Sequence, residues 1–105
     1  MAKKEVKIRF DASGSKIACE PDQVIAYKHE RDSVEWECVT GQPFTVDFGT
    51  DSPFPDAPFH VPAKTKKDAQ IPANAPEKTY KYSVSLTDPK TGLVQVLDPK
   101  MIIIP

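Results

Sequence analysis

The sequence predicts a single all-β domain spanning residues 1–105, built as a two-sheet sandwich of seven or eight short strands. Three observations lead there. Eleven prolines stand against four glycines, where ordinary usage is about 5% Pro and 7% Gly. Nine of those prolines fall between Pro43 and Pro99; each removes a backbone donor and fixes φ, so no long helix fits there. Apolar residues alternate with polar ones in one run after another, the pattern of pleated strands with one buried face. Turn residues separate these runs at the spacing of a sandwich, about one turn every ten residues.

Taken in order, Val6, Ile8 and Phe10 alternate with Lys7 and Arg9, a half-buried strand with a basic outer face. The DASGS segment at 11–15 breaks it. Ile17 to Cys19 resumes extended chain, Pro21 bends it, and Val24 to Lys28 forms a third strand before the polar turn His29 to Ser33. The centre of the chain is the stretch Val34 to Gly49. Val34, Trp36 and Cys38 alternate with Glu35 and Glu37, and Phe44, Val46 and Phe48 repeat the pattern. Between them Gly41 permits a bend and Pro43 removes a donor. Thr50 to Pro62, TDSPFPDAPFHVP, holds four prolines in thirteen residues and is expected to be a stiff loop. Lys64 to Asp68 is a polar run with room for one helical turn and a solvated face. Tyr80, Tyr82, Val84 and Leu86 alternate with Lys81, Ser83, Ser85 and Thr87, the strongest strand signal in the chain. DPKTG supplies a turn with Gly92 suited to φ > 0, and Leu93 to Leu97 and Lys100 to Ile104 finish the sheets.

Composition excludes several classes of function. Fourteen basic and fifteen acidic residues leave a net charge of -1, too little field to attract nucleic acid or an anionic membrane. The longest apolar run is Met101 to Ile104, far short of the roughly 20 residues that span a bilayer. As written the chain is expected to be soluble and cytoplasmic; it would be exported if MAKK replaced a leader. No Ser, His and acid grouping and no phosphate-cradling glycine loop points to an enzyme. His29, His60, Cys19, Cys38, Met1 and Met101 are the only imidazoles, thiols and thioethers, and none is spaced as a local metal pair. Asp47, Asp51 and Asp56 cluster in sequence, either as a hard-cation site or, more commonly, as turn residues. The two cysteines fit buried thiols or a disulfide; sequence does not choose.

Three segments together resemble the cupredoxin family, the small Greek-key sandwiches that include plastocyanin and azurin. CEPDQV followed by DSVEWEC is similar to the family's strand, turn and V-x-W strand. GQPFTVDF resembles the segment that opens on the first copper ligand, and YKYSVSLTDPKTGLVQV resembles the penultimate strand, ligand loop and last strand. The resemblance implies a Greek-key sandwich and places the four family ligands, two His, one Cys and one Met, at Phe44, Val84, Thr87 and Leu93. Those residues offer no soft donor set for type 1 copper. What remains is a copper-free, cupredoxin-like module expected to bind another protein, with no cofactor. The alternative is a metal-binding or electron-transfer cupredoxin with an atypical ligand set. The expected contact surface is the Thr50 to Pro62 loop through Phe54, Pro55, Phe59 and His60, whose competing role is to fold inward and cap the sandwich. Trp36 is expected in the core.

Overall fold

The computed structural model describes residues 2–10, 16–87, 92 and 94–105. The expected break at 11–15, most of the DPKTG turn, Met1 and Leu93 lie outside them. Eleven strands are described: β1 (Lys3–Phe10), β2 (Ile17–Glu20), β3 (Gln23–Tyr27), β4 (Ser33–Cys38), β5 (Phe44–Asp47), β6 (Phe59–Val61), β7 (Lys66–Gln70), β8 (Thr79–Lys81), β9 (Ser83–Thr87), β10 (Val94–Leu97) and β11 (Lys100–Ile104). They form sheets of order β2-β1-β4-β7, β10-β9-β5-β6 and β3-β11-β8. Pairing is antiparallel except for β1 with β4 and β3 with β11. The chain is an all-β, cupredoxin-like sandwich.

The count exceeds the expected seven or eight for three reasons. The run from Thr79 to Thr87 is split at Tyr82: β8 pairs with β11, while β9 pairs with β5 and β10. One alternating segment therefore serves two sheets. Phe59–Val61, inside the expected loop, pairs with β5. Lys66–Gln70, overlapping the Lys64 to Asp68 run expected to have room for one helical turn, is instead a strand on β4. Lys66 lies opposite Glu37, whereas Asp68 lies opposite Glu35 as a like-charged pair that Lys3 bridges, and the Lys66 ammonium reaches Glu35 at 3.8 Å and Glu37 at 3.7 Å.

The outer face of this first sheet is an ion-pair lattice. Lys3 contacts Glu35 at 3.1 Å and Asp68 at 3.5 Å, Lys7 pairs with Glu37, and Arg9 meets Glu20 at 3.2 Å. Glu35, on the polar side of the alternation with Val34, Trp36 and Cys38, is buried beneath these basic side chains. The inner face carries Val6, Ile8, Val34, Trp36 and Cys38 into one core with Val46, Val84, Tyr80, Met101 and Ile103.

Asp32 is the fully buried carboxylate of the described chain. Its oxygens accept the Ala2 N–H at 3.0 Å and the Tyr27 N–H at 2.9 Å. Its own N–H donates to the Tyr27 carbonyl at 3.2 Å, and its carbonyl accepts from Ile71 at 2.9 Å. A residue in the turn before β4 thus ties β3, the start of β1 and the segment after β7. Burial pushes its pKa up, but the Tyr27 and Ala2 donors and nearby Lys4 together hold it below the usual carboxylate value.

Cys19 and Cys38 are both free and buried. Both lie opposite Ile8, one on β2 and the other on β4, so β1 runs between them. Two inter-strand spacings separate the Cα atoms by roughly 9–10 Å, beyond the reach of a disulfide. Burial first, then Asp22, pushes the Cys19 thiol up to about 11.

Candidate functional site

The positions that the family resemblance assigned to copper ligands fall as follows. Phe44 is the first residue of β5 and is buried. Val84 is fully buried in the middle of a ladder, opposite Val46 on one side and Leu97 on the other. Thr87 is exposed at the end of β9, opposite Val94. Regular pairing runs from Val84 to Thr87, and Leu93, the fourth assigned position, lies outside the described residues. Phenyl and isopropyl groups supply no donor there. Among the described residues, no group of three or more His, Cys, Asp or Glu side chains converges. The aspartates expected as a possible cation site are dispersed. Asp47 accepts the Gly49 N–H at 2.8 Å, Asp51 pairs with Lys78 at 2.6 Å, and Asp56 pairs with Lys67 at 3.9 Å.

The four loop residues expected at a contact surface divide. Phe54 and Phe59 are 3% and 4% exposed and do not lie on the surface. Of the two roles open to them, the structure gives them the inward one. Their rings sit 6.1 and 5.9 Å from the Trp36 ring and 5.6 Å from each other, with Phe48 and Tyr82 completing the cluster. The physical reason is pairing: β6 registers Phe59 against Val46, so the pleat that turns His60 outward must turn Phe59 inward. Lys67 then covers the Phe59 ring at 4.6 Å. Pro55 and His60 remain exposed.

Trp36 is core, as its alternation predicts, and its indole N–H donates to the Tyr82 hydroxyl at 3.2 Å. Burial raises the Tyr82 phenol well above its ordinary value against the opposing effect of that bond.

His60 opens onto a shallow groove of about 480 Å³ on the outer face of the β10-β9-β5-β6 sheet. Cross-strand register aligns His60, Thr45, Ser85 and Val96 in one row. Thr87 and Val94 form the next pair along. The Thr45 hydroxyl lies 3.2 Å from His60 Nδ1. Pro43 and Pro62 wall one end. No carboxylate, lysine or arginine lines this groove, whereas the opposite sheet's outer face is a charge lattice. Val94 and Val96 are 66% and 57% exposed. The sequence contained part of this signal: Thr45, Ser85 and Thr87 alternate with core residues. That Val94 and Val96 face outward depends on the register of β10, which the pattern LVQVL does not decide.

No protein-family profile matches the chain, and no curated protein matches it in sequence. Among solved structures the fold is similar to a pseudoazurin from Sinorhizobium meliltoi, with a TM-score of 0.65 and 14% identity, over 100% of this chain and 76% of that one. At that identity the likeness establishes architecture, and architecture does not carry the relative's chemistry with it. Among the described residues no helix is long and apolar enough to cross a membrane.

Proposed function

We propose that the chain is a copper-free, cupredoxin-like binding module that engages another protein through the outer face of the β10-β9-β5-β6 sheet, beside His60. One observation carries this reading: Val94 and Val96 hold apolar side chains in water on an edge strand, on the same face as an uncharged groove. Exposed apolar area has no folding benefit there, and its burial by a partner is favourable at about 25 cal/mol per Å². The contact surface foreseen in the proline loop contracts to its exposed members, His60 in the groove and Pro55 outside it.

Two measurements test the proposal. Lysine at both positions, Val94→Lys with Val96→Lys, should leave the thermal midpoint close to wild type and abolish capture of the partner recovered by the wild-type chain from its native host. Unaltered capture overturns the choice of surface. Titration with Cu(II) should develop no intense visible band, because Phe44 and Val84, at the ligand positions the resemblance assigns, carry no donor. A strong thiolate-to-copper absorption would replace this reading with the electron-transfer alternative.

A further inference from the structure

A second face carries two features that the His60 groove does not use. On the outer side of the three-stranded sheet, the parallel strands β3 and β11 set Ile25 opposite Ile102 and Tyr27 opposite Ile104. Ile25 is 42% and Tyr27 37% exposed, and both isoleucines beside them are half-buried, while Met101 and Ile103 fill the core behind. The result is an apolar stripe across two strands. Two residues further along the same face, Lys100 stands directly opposite Lys81 of β8.

That lysine pair is unfavourably placed. Tyr82 N–H donates to the Pro99 carbonyl at 3.1 Å and Ile103 N–H to the Lys78 carbonyl at 3.0 Å. The pairs at those positions are hydrogen-bonded, so the Lys81–Lys100 pair belongs to the alternate set, with Cα atoms about 4.5 Å apart and side chains at their closest. Like charges directly opposite destabilise a ladder. Neither ammonium forms an ion pair with a described residue, although Lys78 at the start of the same run binds Asp51 and the lysines of the first sheet are paired. Asp47 and Asp98 line a cleft beside the two lysines without pairing with them, and Asp47 is already engaged by the Gly49 N–H.

Strand addition is blocked at one end of this sheet, since the outward N–H and C=O of Tyr27 are both bound by Asp32. The face, rather than the edge, is available. We propose that it docks a protein segment bearing an apolar ridge that ends in acidic side chains. The ridge would cover Ile25, Tyr27, Ile102 and Ile104, and the carboxylates would sit between Lys81 and Lys100, where they would meet two ammonium groups that form no ion pair with a described residue. Charge complementarity selects this occupant: the stripe alone would accept any apolar surface, but the lysine pair favours an acid. This surface is separate from the His60 groove and does not depend on it.

The probe is a pair of synthetic peptides with the same alternating leucine and valine ridge, one ending in glutamates and the other in lysines, titrated into the ¹⁵N-labelled chain. The acidic peptide should shift the amides of Ile25, Tyr27, Lys81 and Lys100 saturably, and bind about 10-fold or more tightly than the basic one. Lys100→Glu converts the like pair into an opposite pair, so its thermal midpoint should not fall, and it should lose the preference for the acidic peptide. Val96→Lys should leave binding unchanged, which separates this surface from the groove. Equal binding of both peptides, absence of shifts, or shifts centred on His60 would overturn the proposal. So would association of the chain with itself through this face, or binding to phosphatidylserine vesicles in place of the acidic peptide.

Discussion

Replacing Trp36 with alanine is the most demanding perturbation of this core. The indole is fully buried and packs edge-on against Phe48, Phe54 and Tyr82, with ring centroids at 6.3, 6.1 and 5.9 Å, and in a tilted contact with Phe59 at 5.9 Å. Removing it loses the transfer free energy of a large aromatic and leaves a cavity that four rings cannot jointly fill, a cost of about 3–5 kcal/mol. The Tyr82 hydroxyl also loses the N–H donated at 3.2 Å, and an unsatisfied buried polar group costs about 1–3 kcal/mol. The two effects overlap at one site, so we expect about 4–5 kcal/mol in total rather than their sum. In a domain of this size that lowers the thermal midpoint by roughly 15–30 °C. Trp36 is the chain's single tryptophan, so unfolding must be followed by far-ultraviolet circular dichroism in urea. Trp36→Phe keeps an aromatic ring while removing the N–H and part of the indole volume, and should cost less than Trp36→Ala. A loss below about 1.5 kcal/mol for Trp36→Ala would refute the reasoning, because it would mean that the ring cluster is not packed around the indole.

Three further outcomes follow from particular contacts. Phe59→Ala should destabilise by about 3 kcal/mol or more in chemical denaturation, because a ring on the inner pleat of β6 is lost together with its Lys67 cover; a near-neutral effect would return Phe59 to the surface. Asp32 has a folded pKa held below its ordinary value, so its contribution is fully present above the unfolded pKa of about 3.9 and is lost as pH falls through the folded value. Asp32→Asn should therefore lower stability at neutral pH and flatten the acid limb of the stability profile, and an unchanged acid limb would remove Asp32 from that role. Finally, with Cys19 raised to about 11 and both thiols buried, the folded chain should react slowly with a thiol-specific disulfide reagent and keep the same midpoint with or without reductant; a midpoint that drops on reduction would contradict the strand order that separates the cysteines.

Period-two alternation is a local property, and wherever one face of a strand is core it can be read directly from the chain. Val6 and Ile8, Val34 to Cys38, Phe44 to Phe48 and Tyr80 to Leu86 place their apolar residues inward as the sequence requires. Gly41 and Gly92 take φ of +83° and +74°, the left-handed region that a residue without Cβ enters freely. The all-β class and the inward Trp36 follow from these signals alone. Partner choice does not, because it is settled between segments far apart in sequence. β6 is three residues long and β7 is mostly charged; neither is a strand until β5 and β4 lie beside it. The same pairing turns Phe54 and Phe59 into the core, buries Glu35 under basic side chains and puts β1 between the cysteines. It also converts a turn aspartate, Asp32, into a buried tie for three segments. The surface was the least legible, since a solvent-facing side chain answers to no local period. Only the register of β10 and of the β8–β11 ladder shows that two valines, and two lysines with no ion pair to a described residue, stand exposed on the outer faces.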